Sequence, residues 1–461
     1  MLRIVRTSVL AGLCGLLALP ASAENLQEIF SLARQNDALL KAQTAQAAAS
    51  RETGNIYKAR LLPQINLGGS YSKSTMDVSG ASCNPVTLAG GTCSDVKSDV
   101  LKKNLTLAQN LLNMEAWYDY QKGKKISEQA DAQYKANELD LLVRVTDAYT
   151  NVLRAIDTYQ TAFAQEQAIS RQLEQTKQRF DVGLIAITDV QESQASFDTA
   201  RVNTLNAKGQ IGIAFEAIQV LTGQPLEKIA PLSTDLPVKM PEPTAQTDWE
   251  KLALENNPDL AVSALSVQAA HENARARRAA HMPTVVGSLQ RSESDSDMDY
   301  HPGHFDDGQD GNTVALSLNV PLYSGGGTSA ARRQAYDQEM VAEETHNNNR
   351  RNAVQRARSY HLAVTTDIQR VSAQKQAIVS AQSALDATQA GYEVGTRNIV
   401  DVLNAQQFLY QAKLAHANAR YQYVMDTMRL MQVAGVLSED NLHKLSESTT
   451  SENSFTRAQF Q

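Results

Sequence analysis

One stretch of the chain occurs twice, as Phe180-Asp181-Val182-Gly183-Leu184-Ile185-Ala186-Ile187-Thr188-Asp189-Val190 and as Tyr392-Glu393-Val394-Gly395-Thr396-Arg397-Asn398-Ile399-Val400-Asp401-Val402. In both copies an aromatic residue, an acid and Val-Gly are followed, at one spacing, by Asp-Val. Each glycine fits the left-handed residue that ends a helix. We therefore predict two helical hairpins with tips at residues 180–189 and 391–401, and an internal duplication of the chain.

The helices that lead to these tips are predicted to be long. No proline occurs from Met114 to Gln178 or from Thr328 to Ala390, so each stretch could extend about 95–100 Å as one helix. Their apolar stripes are narrow and do not keep a strict heptad. This argues against an ordinary coiled coil and indicates that the helices need lateral neighbours.

Returning helices are predicted at 189–221 and 401–434. Thr188 followed by Gln191 matches a capping box, and Asn398 can cap the second returning helix.

The N-terminus has the pattern of a signal peptide. Arg3 and Arg6 precede an apolar run at 9–19, and Ala21-Ser22-Ala23 is a small-residue cleavage site, so the mature chain should begin at Glu24. Leu13 before Cys14 argues against lipidation. The product is predicted to be exported.

The charge balance argues against nucleic acid as a partner. The chain has 43 basic and 50 acidic residues, a net charge of −7, and loss of the two arginines in the signal peptide leaves −9. Of the cysteines only Cys83 and Cys93 follow the cleavage site. In an oxidising compartment these two are predicted to form a disulfide, with two free thiols as the alternative; a zinc site is not expected from one pair.

Alternation with a period of two predicts four strands of about ten residues. It follows Pro63 and Pro283, precedes the first long helix around Leu105 and Leu107, and is clearest from Val314 to Val320. Pro63 and Pro283 are separated by the same number of residues as Asn36 and Asn256, which again indicates duplication. Lys102 and Lys103 weaken the start of the second strand.

Strands of this length with one apolar face fit a wall between lipid and water. The alternative is a sheet packed on apolar helices, but no helix is apolar enough to cover it. Four strands cannot close a barrel, and open edges in lipid are costly. Several chains should therefore combine their strands, and three would give twelve.

The predicted organisation is that of an α+β membrane protein. Its segments are a signal peptide (1–23), first helices (24–60), a strand pair with the cysteine loop (61–112), a first hairpin (113–222), a proline-rich connector (223–248), second-repeat helices (249–282), a strand pair with an acidic loop (283–324), a second hairpin (325–436) and a tail (437–461), disordered from Ser446.

An acidic cluster stands out in the second strand pair. It is predicted to be a solvated loop rather than a metal site, because its calcium-like spacing from Asp295 lacks the required glycine and closing glutamate. Its members are Glu293, Asp295, Asp297, Asp299, Asp306, Asp307 and Asp310, with His301 and His304. No catalytic constellation or cofactor motif occurs, so an enzyme is not expected.

The chain resembles the TolC family of outer-membrane efflux channels over nearly all of 24–440. The resemblance is carried by Leu62-Pro63-Gln64, 151–157, both tips, Pro321-Leu322-Tyr323, and above all 391–403. It implies a homotrimer with a twelve-stranded barrel in outer-membrane lipid above a twelve-helix periplasmic tunnel. It also implies an equatorial domain and a passive duct for drugs or secreted proteins, served by a periplasmic adaptor and an inner-membrane RND or ABC pump.

The resemblance also implies site residues at the tips. Thr188, Asp189, Tyr392 and Arg397 match a polar lock that closes the tunnel, and Asp401 and Asn404 match its narrowest point. Asn404 stands where the family has a second acid, so weaker cation block is expected. The turns that match adaptor-docking grooves are Val182-Gly183-Leu184 and Val394-Gly395-Thr396.

Simpler roles remain as alternatives at these positions. Asp189 and Asp401 could be ordinary first-turn acids, and the two turns could be plain helix caps. Arg397 has no such local role, because a helix start disfavours a cation, and so it should need a partner. For the whole chain, the alternative function is a periplasmic adaptor-like coiled-coil structural protein.

Overall fold

The structure is a computed structural model that describes residues 25–76, 96–233, 236–300, 303–447 and 454–460. The predicted signal peptide and the Cys83–Cys93 pair lie outside these residues. The helices are α1 (Leu26–Asn36), α2 (Ala38–Ala59), α3 (Met114–Asp181), α4 (Ile187–Thr222), α5 (Gln246–Asn256), α6 (Pro258–Ala279), α7 (Gly327–Glu393), α8 (Ile399–Val433) and α9 (Glu439–Glu447). The strands are β1 (Gln64–Met76), β2 (Val96–Leu112), β3 (Lys228–Ile229), β4 (Thr284–Tyr300), β5 (Gly303–Asn319) and β6 (Phe455–Thr456).

The described chain divides into two compact units. One consists of the described parts of Met1–Gln43, Ala136–Asn257 and Ala353–Gln461; the other consists of those of Thr44–Lys135 and Pro258–Asn352. The second unit holds the four long strands. The first unit holds the hairpin tips and the main hydrophobic core.

The predicted duplication is visible in the order of elements. The succession α1, α2, β1 recurs as α5, α6, β4, and each element of the second set begins 220 residues after its counterpart (246 − 26, 258 − 38 and 284 − 64). The long helices match as well, since α3 has 68 residues and α7 has 67, about 100 Å each. None of the described helices has the length and hydropathy needed to cross a membrane.

The sheet is antiparallel with the order β1-β2-β4-β5. Residues paired directly across strands share a face, and one row is apolar in all four strands: Ile65, Leu107, Leu289 and Val314. The row on the opposite face is polar: Asn66, Thr106, Gln290 and Thr313. β1 is exposed along nearly its whole length, and no described residue of this sheet belongs to a buried core cluster. A sheet covered by helices is therefore excluded for the described chain.

The strands are longer than predicted. β1 has 13 residues, and β2, β4 and β5 have 17 each, where about ten were expected. β2 runs through Lys102 and Lys103, which were expected to weaken it. The apolar alternation marks only part of each strand, because antiparallel partners continue to satisfy the backbone where the side chains turn polar.

The acidic segment is a strand hairpin rather than the predicted loop. Glu293 pairs with Asp310 and Asp297 with Asp306 across β4 and β5. Basic side chains offset these facing acids: Lys103 lies 3.8 Å from Glu293 and Arg291 3.8 Å from Asp310. His301 lies outside the described residues.

One part of this hairpin brings possible metal ligands together. Asp297, Asp299 and His304 each place one ligand atom within 4.8 Å of the others. All three are exposed, and His304 is already ion-paired with both aspartates. These three side chains are therefore solvent-exposed on paired strands.

The main core joins the middle of α3 to α4, α8 and the connector after α4. Trp249, Tyr149 and Phe215 are among its largest fully buried side chains. The Tyr421 hydroxyl donates to Asp157 at 2.7 Å, and burial raises the pKa of Asp157 against the effects of Tyr421 and Arg420. This hydrogen bond satisfies the hydroxyl of the buried Tyr421, which lets the core keep it.

The described residues of the C-terminal segment, up to Glu447 and from 454 to 460, are structured, contrary to the prediction of disorder from Ser446. α9 continues to Glu447, and β6 pairs with β3. The Phe460 ring lies 5.5 Å from the Tyr159 ring, and Arg457 pairs with Glu216. The polar composition predicted a disordered tail, but aromatic and basic side chains hold its described C-terminal residues against the rest of the chain.

Candidate functional site at the hairpin tips

The two tips share one backbone turn. Gly183 and Gly395 both have φ of +78°, a conformation that costs glycine nothing. The amides of Leu184 and Thr396 donate back to Arg179 and Gly391 at 2.9 and 2.8 Å. These bonds close the preceding helices, so the prediction of a glycine helix end is confirmed for both copies.

The turns present apolar side chains to solvent. Val182 and Val394 are 70% and 75% exposed, and Leu184 is 69% exposed. An exposed apolar group on a rigid, capped turn is available for contact with another molecule.

The returning helices begin differently in the two tips. Asn398 caps α8 as predicted, and together with Asp401 it forms a full capping box in which the Asp401 amide donates to Asn398 Oδ1 at 2.8 Å. The capping box predicted for Thr188 and Gln191 is wrong. α4 begins at Ile187 with Ala186 as its N-cap and without a side-chain cap bond, so Thr188 lies inside the first turn and cannot cap it.

A small apolar cluster lies behind the tips. It joins residues of all four hairpin helices: Ile169, Ala200, Leu385, Tyr392, Ile399, Val402, Leu403 and Leu409. Tyr392 is buried in it, yet its hydroxyl has no hydrogen-bond partner in the described chain. A buried hydroxyl without a hydrogen-bond partner is unfavourable, so a hydrogen bond from another molecule to the Tyr392 hydroxyl would be stabilising.

Among the described residues, the Arg397 side chain has one ion-pair partner, Asp401. Its Nη1 lies 3.8 Å from Asp401 Oδ2, and the side chain is 61% exposed. A Cβ on Gly391 would lie 2.8 Å from Arg397 Cγ, so the glycine leaves room for the arginine. An exposed pair at this separation is weak, and most of the guanidinium donors stay available.

The predicted lock residues are not joined within one chain. Thr188 Oγ1 and Asp189 Oδ1 lie 3.5 Å apart. In the described residues no hydrogen bond or ion pair connects either of them to Tyr392 or Arg397. Asp401 is half-buried and Asn404 is exposed on α8, three residues further on.

Sequence reasoning named Val182 and Tyr392 but missed the other residues that line a pocket of the first unit at the tips. An open pocket of about 460 Å³ is lined by Gln172, Gln175, Gln178, Arg179, Val182, Gln389, Tyr392 and Glu393. The guanidinium carbon of Arg179 lies 4.7 Å from the Tyr392 ring centroid. Glutamines spaced by three along α3, ending beside Arg179, were the signal that could have revealed it.

Comparison with known proteins identifies the family. The model of the family described as "Outer membrane efflux protein" matches residues 29–224 and 249–436. The chain belongs to this family.

Similar proteins cover almost the whole chain. Outer membrane protein TolC of Vibrio cholerae is 34% identical over 432 residues, 93% of this chain and 94% of that protein. Alkaline protease secretion protein AprF of Pseudomonas aeruginosa is 30% identical over 92% of this chain and 86% of that protein. The crystal structure of outer membrane protein VceC from Vibrio cholerae has a TM-score of 0.73 at 19% identity, covering 89% of this chain and 96% of that one, which supports the fold.

Membership of the outer membrane efflux protein family confirms the predicted function as an outer-membrane exit duct for efflux and secretion. It also confirms that the chain is not an enzyme, since its relatives are transport proteins. The adaptor-like alternative is not favoured. The outer-membrane location follows from the same relatives.

Proposed function

We propose that three copies of this chain assemble into one passive duct, in which twelve strands close a barrel and twelve helices form a periplasmic tunnel. The observation that carries this proposal is the sheet. It has an apolar row across all four strands, a polar opposite row, and free edges at β1 and β5. An open sheet edge in lipid is costly, and pairing β5 of one copy with β1 of the next removes it.

The lipid-facing side of this barrel is the apolar face. Leu67, Val314 and Leu316 are more than 70% exposed in the single chain, and outer-membrane lipid provides the apolar contact that they need. The polar row then faces water in the duct.

The duct closes at the hairpin tips. Thr188, Asp189, Tyr392 and Arg397 form the lock between neighbouring copies. Two features of the described chain support this: Arg397 has guanidinium donors beyond its contact with Asp401, and the Tyr392 hydroxyl has no hydrogen-bond partner there. A guanidinium fork that meets a carboxylate or hydroxyl of the next copy, three times around the axis, gives a cooperative closure.

The constriction lies just beyond this lock. Asp401 supplies a ring of three carboxylates and Asn404 a ring of three amides. The cation field is therefore weaker than two carboxylate rings would give.

The duct works with partners rather than alone. The turns at Val182-Gly183-Leu184 and Val394-Gly395-Thr396 dock a periplasmic adaptor, supported by their exposed apolar side chains. The adaptor links the duct to an inner-membrane RND pump for drugs or an ABC pump for type I secretion. AprF is named for secretion of an alkaline protease, which supports the second route.

Export and oxidation precede assembly. Signal peptidase removes 1–23, and the mature chain forms the Cys83–Cys93 disulfide. Mass spectrometry of protein purified from outer membranes tests both. We expect an N-terminus at Glu24 and a mass two hydrogens below that of the reduced chain; an intact leader or two alkylatable thiols would contradict the respective step.

Single-channel conductance in planar bilayers tests the gated duct. We compare the native protein, Arg397→Ala and the control Arg201→Ala, which removes another exposed arginine, on α4. The native protein and control should give a small, long-lived conductance, and Arg397→Ala a larger one. Equal conductance in all three would remove Arg397 from the lock, and folded protein without conductance would refute the duct.

A further inference from the structure

Two buried aspartates face each other across the arms of the second hairpin. Asp367 on α7 is 2% exposed and Asp426 on α8 is 7% exposed. They lie beside apolar members of the main core, among them Val364 and Val424. Buried carboxyl groups are rare unless charge or hydrogen bonding compensates for lost water.

Each aspartate has one arginine on its own helix. Arg370 Nη1 donates to Asp367 Oδ1 at 2.9 Å, and an Arg429 nitrogen lies 3.6 Å from Asp426 Oδ1. Arg429 is shared, since its other terminal nitrogen lies 3.9 Å from Asp147 on α3. Both of these contacts are made to an Oδ1 atom of the pair.

The surroundings of the two Oδ2 atoms indicate which carboxyl oxygen can carry a proton. Gln422 Nε2 donates to Asp426 Oδ2 at 2.9 Å. Asp367 Oδ2 is buried, and in the described residues no N–H or hydroxyl group donates to it. Asp426 on α8 lies close enough to Asp367 to raise the pKa of Asp367 by hydrogen bonding and by its charge, and a hydrogen bond between two carboxyl groups requires that one of them carries a proton.

We propose that Asp367 and Asp426 share one proton and act as a pH-dependent clasp between α7 and α8. With the proton in place, Asp367 Oδ2 donates to Asp426 and the arms are joined by a short hydrogen bond to a carboxylate. Without it, two like charges remain buried side by side, each held by a single arginine.

The direction of the effect follows from the pKa. Burial, the hydrogen bond with Asp426 and the Asp426 charge raise the pKa of Asp367 to about 6, and Arg370 opposes them. The unfolded chain holds this proton only below about pH 4. The clasp is therefore complete below pH 4 and is lost as the pH rises through 6. Lowering the pH from 8 to 5 should raise the folding equilibrium constant about tenfold through this pair.

The first test is thermal melting of the full-length protein in detergent, followed by helical circular dichroism from pH 5 to 8. Asp367→Asn keeps the donor permanently and removes the titration. Asp386→Asn is the matched control, an exposed aspartate on the same helix. The native protein and the control should gain a few degrees from pH 8 to 5, and Asp367→Asn should lose that gain. The same pH profile in all three would overturn the clasp.

The second test observes the proton directly. Infrared difference spectra between pH 5 and 8 should contain a protonated carboxylic acid band that titrates near pH 6 in the native protein and the control. The band should disappear in Asp367→Asn. If Asp367→Asn does not fold, Asp426→Asn is measured in its place and should also lose the band. A band that persists in both variants would overturn the proposal. Neither test depends on conductance, so the clasp and the duct can fail separately.

Discussion

The guanidinium carbon of Arg179, at the end of α3, lies 4.7 Å from the centroid of the Tyr392 ring, at the end of α7. The contact ties the first hairpin to the second within one chain. Cation–π contacts of partly exposed side chains contribute about 0.5–1 kcal/mol. Arg179 therefore holds the ring of a proposed lock residue in place.

We expect Arg179→Gln to loosen the tips. Losing the cation removes its attraction for the ring, so amide hydrogen exchange should accelerate in residues 178–184 and 390–396, and closed-state conductance should rise modestly. Arg179→Lys keeps a cation and should lie between the native protein and Arg179→Gln. Unchanged exchange in both variants would show that the contact carries no free energy.

A second prediction concerns Gly435, which follows α8. Its φ is +68°, and an added Cβ would lie 2.0 Å from the Asn256 carbonyl oxygen. Gly435→Ala must therefore shift backbone, and we expect a loss of at least about 2 kcal/mol in the free energy of unfolding.

Gly209→Ala is the matched control for this substitution. Gly209 lies inside α4 with no neighbour within 4 Å of an added Cβ, so alanine should stabilise the helix by about 0.5–1 kcal/mol. Denaturant unfolding in detergent measures both variants. Similar stability in the two would contradict the close approach at Gly435.

The repeats made much of this fold predictable. Local backbone preferences of the residue types predict several elements. These are the glycine turns at Gly183 and Gly395, the helix cap at Asn398 and the strands after Pro63 and Pro283. The prediction of an outer-membrane duct came from the family resemblance, and the match to the family model confirmed that prediction.

The capping box predicted at Thr188 was a local error, but the other errors arise from long-range pairing. The acidic segment looked like a loop because its side chains are polar, but β4 and β5 pair through backbone groups. The C-terminal residues looked disordered because their contacts with β3 and Tyr159 are far away in sequence. Asp367 and Asp426 are 59 residues apart (426 − 367), and no spacing rule joins them.

A third prediction concerns the constriction. Asn404→Asp would give a second ring of three carboxylates beside Asp401 in the proposed trimer. Closely placed acid rings attract divalent and trivalent cations more strongly. Cation block in planar bilayers should therefore strengthen in Asn404→Asp and weaken in Asp401→Asn. Equal block in all three proteins would place these residues away from the narrowest point.

The final prediction distinguishes the two faces of the sheet. Leu316 is 72% exposed on the apolar face, and Ser317 follows it on the opposite face. A lysine in lipid near the bilayer midplane costs about 2–4 kcal/mol, whereas a lysine facing water costs little. Leu316→Lys should reduce the yield of heat-resistant trimer in outer membranes, measured by gel electrophoresis without boiling, and Ser317→Lys should leave it near native. The reverse pattern would mean that the polar face meets the lipid, and equal loss in both would mean that neither face does.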